Sequence, residues 1–125
     1  MLVQDVATYL QSNGIGTLGT NLFIGRLPDE PDTCTAVFAY AGFPMPLHWN
    51  GEQPGLQVLV RAPSYVQAQN LMEQIRGLLH GLSEQTLGTT RYLLVRAKQS
   101  PMLLQRDDGD RAIFVCNFDV IKELG

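Results

Sequence analysis

What this sequence has least of is charge. Only 17% of its 125 residues are Asp, Glu, Lys or Arg, against roughly 25% in ordinary soluble domains. Residues 6–25 and 33–51 contain none of the four, while the last 35 residues hold 11 of the 21. Stretches so bare are hidden in a core or hidden against something else. Lys and Arg nowhere cluster and the net charge is −3, which argues against a dedicated nucleic-acid binder, since such proteins display a basic stripe to neutralise phosphates.

Long apolar runs are missing too. Gln11, Ser12, Asn13, Thr17, Thr20 and Asn21 interrupt the first uncharged stretch, and a membrane span needs about 20 mostly apolar residues. The first residues show neither the basic segment nor the unbroken apolar segment of a signal peptide, so synthesis in the cytoplasm is expected. Cysteine is reduced to Cys34 and Cys116, too few for a disulfide scaffold or a zinc site. Both are expected as buried thiols.

What is present is a 45% hydrophobic fraction, ample for a folded core and too high for disorder. The length fits one domain over 1–125. Apolar positions Leu2, Val3, Val6, Ala7, Tyr9 and Leu10 follow helical spacing, and Gly14 and Gly16 end that helix. Leu22–Ile24 and Thr35–Ala41 read as strands around a Pro-containing turn. Residues 56–62 alternate as a third strand, stopped by Pro63. Ser64 then caps a helix over 64–82, with Gln67 completing the capping-box spacing. Arg91–Gln99 and Arg111–Val120 form a strand pair, with a bend or bulge at Ser100-Pro101 and a turn at Asp108-Gly109 whose glycine tolerates positive φ. The expected fold is α+β in the order α-β-β-β-α-β-β, a mostly antiparallel or mixed five-stranded sheet with two helices packed on one face.

Three motifs invite a chemical reading and are weighed against a bland one. Gly14-Ile15-Gly16-Thr17-Leu18-Gly19 matches G-x-G-x-x-G, but the dinucleotide fingerprint needs a strand before it and a helix after it. Here the order is reversed, so the glycines are expected as a helix stop and a turn. Asp107-Asp108-Gly109-Asp110 lacks the calcium-loop spacing and its distal Glu, and reads as a solvated hairpin tip. His48 and His80 sit on no ligand spacing, and Cys116 alternates with Phe114 and Phe118 like a core residue. No catalytic, metal-binding or cofactor-binding residue is expected, and no cofactor.

The segment Gly42-Phe43-Pro44-Met45-Pro46-Leu47-His48-Trp49-Asn50-Gly51 carries the only Trp and no charge. Loops run over the surface, and Trp with Met is enriched where interfaces are buried. The segment is expected as an interaction arm, against the alternative that it folds back over its own core.

Gly19-Thr20-Asn21-Leu22-Phe23-Ile24-Gly25-Arg26-Leu27-Pro28, Arg91-Tyr92-Leu93-Leu94, Gln99-Ser100-Pro101-Met102-Leu103-Leu104, Asp107 to Arg111 and Phe114-Val115-Cys116-Asn117-Phe118 together resemble the small bacteriophage minor capsid or tail-completion family. The element order is similar to that of tail-terminator proteins of long-tailed phages. The resemblance implies a non-enzymatic virion protein, assembled in the host bacterial cytoplasm, that forms a hexameric ring capping the tail tube. Its partners would be itself, the tail tube protein and the head–tail connector or neck proteins. Genome DNA would pass through the ring without sequence-specific contact, and no membrane is involved.

A ring subunit meets its neighbours through two different faces. Candidates for them are Phe43, Met45, Leu47 and Trp49 of the arm, Gln67, Asn70 and Gln74 on the polar helix face, and Leu103, Asp107 and Asp108 of the last hairpin. The alternatives are a neck or head-closure protein of the same virion and, from another class, a small-molecule-binding or enzymatic α+β domain using a pocket under the 42–51 loop. The latter would need converging titratable residues.

Overall fold

A computed structural model describes residues 1–44 and 49–124. Its first helix, α1 (Leu2–Ser12), buries Leu2, Val6, Ala7 and Leu10 on one stripe, and Gly14 at φ +81 turns the chain away. Seven strands follow: β1 (Leu22–Ile24), β2 (Cys34–Phe43), β3 (Gly51–Ala62), β4 (Ser83–Leu87), β5 (Thr90–Ala97), β6 (Met102–Arg106) and β7 (Ala112–Glu123), with helix α2 (Tyr65–Leu79) between β3 and β4. The sheet order is β1-β2-β3-β7-β5-β4, with β6 also paired to β7. All pairings are antiparallel except β1 with β2.

The long strand β7 organises this arrangement. Its first half, Ala112–Val115, pairs with β6, and its second half, from Phe118 to Lys122, pairs with β5. The break between β5 and β6 falls at Ser100-Pro101, as expected of a residue that donates nothing to a ladder. Seven strands thus replace the five expected. A row drawn through Val115 nevertheless crosses five, Phe23, Ala36, Leu59, Val115 and Met102.

Both helices cover one face. Val6 and Leu10 of α1 and Met72, Ile75 and Leu79 of α2 join Val58, Val60, Phe114, Cys116, Phe118 and Val120 in one core. Ser64 caps α2, its Oγ accepting from the Gln67 backbone N–H at 3.2 Å. The helix ends at Leu79 rather than Leu82, because Gly81 at φ +88 turns the chain into β4, its N–H donating to Val95 O while the Leu82 carbonyl accepts from the Val95 N–H. Strand β4 escapes the sequence pattern because Ser83, Glu84, Gln85 and Thr86 are all exposed, leaving no apolar alternation. A buried hydrogen bond pins α1 to the sheet, Tyr92 donating from its hydroxyl to Asp5 Oδ2 at 2.7 Å. Both thiols are buried, and burial pushes Cys34 up and Cys116 up to about 11.

Candidate assembly surface

The expected arm is in part sheet. Strand β2 runs to Phe43 and β3 starts at Gly51, so Gly42, Phe43 and Gly51 of the expected arm belong to the end of a two-stranded ribbon. A register shift lies between Tyr40 and Phe43, opposite Pro54, where an imino acid cannot complete the ladder. Aromatic rings approach two glycines closely at this end. A Cβ at Gly55 would strike the Tyr40 ring, and one at Gly51 would strike the Trp49 ring. Trp49 therefore lies over the backbone of its own ribbon and is still 36% exposed, while Phe43 is 59% exposed. Met45, Leu47 and His48 lie outside the described residues.

The last hairpin is organised by its acids. Asp107 Oδ1 accepts from the N–H groups of Gly109 and Arg111 at 3.0 and 2.9 Å, and Oδ2 accepts from Arg111 Nε at 2.8 Å. The backbone N–H of Arg111, opposed in part by burial, holds the Asp107 carboxyl below its usual range. Positive φ falls on Asp110, at 61°, not on Gly109. Asp is among the few side chains that tolerate it, and Gly109 is left as an ordinary turn residue. Arg111 also donates to Asp29 O and reaches Asp32, and the buried Arg61 donates to Pro31 O at 2.7 Å, so the 29–32 segment is strapped to the same end of the sheet. Asp108 stays exposed.

The remaining expected contacts lie apart from these. Gln67, Asn70 and Gln74 are exposed on α2, beside a Glu73–Arg76 ion pair at 2.7 Å. Leu103 packs against the core, and the exposed apolar residues of its strand are Met102 and Leu104, at 53% and 52%. The expected contacts thus fall on the β2–β3 ribbon, on α2 and on the β6–β7 hairpin.

Residues the sequence pattern did not single out prove informative. Ile24 and Tyr40, at 38% and 36% exposed, share the β1–β2 side of the sheet with Phe43, whereas Met102 and Leu104 sit on β6, the opposite margin. Tyr65, 43% exposed, adjoins that second margin through an edge-on contact with Phe114, which pairs with Leu103. Ile24 and Tyr40 lay within the uncharged stretches 6–25 and 33–51, and that absence of charge was the signal available for them.

The chemical motifs find no site among the described residues. The backbone N–H groups of Thr17 and Leu18 in the glycine loop are taken by Asn21 Oδ1 and Gln11 Oε1, both at 2.7 Å, and point at no open anion position. A hollow at the ribbon is lined by Tyr40, Phe43, Pro44, Glu52 and Pro54 among others, and Glu52 there is engaged by Lys122 at 2.7 Å. No group of His, Cys, Asp and Glu able to hold a metal occurs among the described residues.

Comparison with known proteins agrees with this geometry. Residues 9–124 match the family described as bacteriophage tail terminator protein. A chain from the virion of a native gene transfer agent particle has the same fold at a TM-score of 0.67, with 13% identity over 95% of this chain and 84% of that one. No curated protein matches by sequence. With 116 of its 125 residues spanned by that match, the chain belongs to the bacteriophage tail terminator protein family.

Proposed function

We propose that the chain is a non-enzymatic subunit of a closed ring that caps the phage tail tube and joins it to the head. The observation that carries this reading is the placement of exposed apolar side chains on opposite margins of one sheet. Ile24, Tyr40 and Phe43 mark one margin, Met102 and Leu104 the other. Two unlike sticky faces on one subunit make head-to-tail contacts, and such contacts close into rings when the rotation permits. The family resemblance implies six subunits, the tail tube protein below and connector or neck proteins above, with DNA passing through. The charge deficit of the sequence then follows from surface that is covered on assembly.

A structural role also fits how the acids are used. Asp107 serves Arg111, Asp119 serves Arg96 and Lys98, and Glu73 serves Arg76, so each of these acids is engaged by a cation of its own chain. The test is electron microscopy of particles made without this chain. Overlong or unjoined tails support the terminator role. Normal tails beside filled heads that lose DNA would move the chain to the neck, and normal joined virions would overturn both roles.

A further inference from the structure

We propose that the subunits join by continuing the sheet, residues 38–43 on the open edge of β2 receiving β6 of a second copy of the chain as an added antiparallel strand. This rests on the ring reading above. It begins with the backbone. Strand β1 covers only Thr35 to Val37 of β2. Thr35 N–H donates to Asn21 O and Val37 O accepts from Gly25 N–H, so odd residues of β2 turn their backbone groups to that side. The same phase aims the N–H and C=O of Ala39 outward, where no strand of the described residues meets them. An unpaired row of this kind is a template for another strand.

Proteins that keep such edges free of partners protect them with charge, Pro or short length. Strand β4 carries Glu84, and β1 has three residues. Residues 38–43, Phe-Ala-Tyr-Ala-Gly-Phe, use none of these devices, and β6, Met-Leu-Leu-Gln-Arg, carries a single charge, Arg106, at its turn end. The second copy is the occupant because it brings, among the described residues, another open edge of similar length, uncharged from Met102 to Gln105. Direction agrees as well. Strand β2 is antiparallel to β3, β3 to β7 and β6 to β7, so a sheet continued in the same sense sets the incoming β6 antiparallel to β2, the better-bonded arrangement.

The two edges are also offset. Ala39 shares a row with Leu56 and Phe118, and Leu103 pairs with Phe114, four residues apart along β7, a stagger of roughly 13 Å at about 3.3 Å per residue. Closing a sheet on itself requires such a stagger. Charge agrees at the far end. An incoming β6 seated this way points its Asp107–Asp110 turn toward the end of β1, where Arg26 lies over the Phe23 ring at 5.5 Å and pairs with no carboxylate among the described residues. Asp108 makes no ion pair among them either.

Particles assembled from an equal mixture of Ala39→Cys and Leu104→Cys chains, treated with a short bismaleimide, test the contact. The native Cys34 and Cys116 are buried and serve as an unreactive background. A dimer of the two different variants, absent when either is used alone, is the expected product. Ala39→Cys dimers alone would mean two-fold pairing, and a cross-link to another virion protein would mean a different occupant. Either overturns the proposal. Rings visible by microscopy without the mixed dimer overturn it while leaving the ring reading standing, and particles with no ring remove both. A second variant, Ala39→Pro, deletes one outward donor that β3 does not use. It is expected to abolish rings while the isolated chain melts as the parent does, and rings at parental yield would contradict the strand addition.

Discussion

The β6–β7 turn and the β2–β3 ribbon each join two antiparallel strands and treat their polar groups in opposite ways. At the turn, one carboxylate accepts from two backbone N–H groups and a guanidinium, and the guanidinium goes on to a backbone carbonyl and a second Asp. At the ribbon, Phe43, Tyr40 and Trp49 remain partly in water and the outward groups of Ala39 have no partner among the described residues. A charged loop closes on itself through hydrogen bonds, whereas an uncharged aromatic one closes only by covering apolar area. The first is satisfied within the monomer, and the second is the end that the proposed strand addition completes.

Substitutions can break this contrast. Trp49→Asp is expected to have the largest effect, abolishing ring formation while changing the stability of the isolated chain by no more than about 1 kcal/mol. Electron microscopy and a thermal melt check the two halves, and rings at parental yield would remove the arm from the interface. Gly51→Ala comes next, because the new Cβ meets the Trp49 ring. Overpacking of this kind costs about 1–3 kcal/mol, and in the Gly51→Ala/Trp49→Ala double variant most of that cost is expected to disappear, a coupling that a double-mutant cycle measures. An additive cycle would show that the ring does not rest on Gly51.

Smaller effects are expected at the turn. Arg111→Ala removes the bonds to Asp107, Asp29 and Asp32 and should lower the melting temperature of the isolated chain. The turn is also expected to weaken in acid. The folded Asp107 carboxyl lies below its ordinary value of 3.8, so its contribution is present above that value and is lost as pH falls through the folded pKa. The gap in melting temperature between the parent and Asp107→Asn should therefore shrink on acidification below about pH 4, and a widening gap would contradict the assignment. Smallest of all, thiol reagents at neutral pH should leave native Cys34 and Cys116 unmodified, as mass spectrometry would show, since burial raises both.

Much of the fold was legible because apolar periodicity reports burial. The stripe of α1, the alternation of β3 and β7, and Ser64 with Gln67 at the start of α2 all carry that signal. Strand β4 was not legible, because its first four residues are exposed on both faces and only Leu87 at its end is buried, which leaves no alternation to read. Leu82 misled for the converse reason. It is apolar at helical spacing, yet Gly81 has already turned the chain. The candidate surface was legible as a region through its missing charge, but not as residues. Which of Leu103 and Leu104 faces outward depends on the register shift between Leu103 and Gln105, which sequence periodicity does not mark.

Amide hydrogen exchange of residues 38–43, in the isolated chain and in assembled particles, tests most directly whether this ribbon is the face that assembly completes. Rapid exchange at Ala39 in the isolated chain and strong protection in particles is the predicted result. Protection already present in the isolated chain, or exchange undiminished in particles, would contradict it.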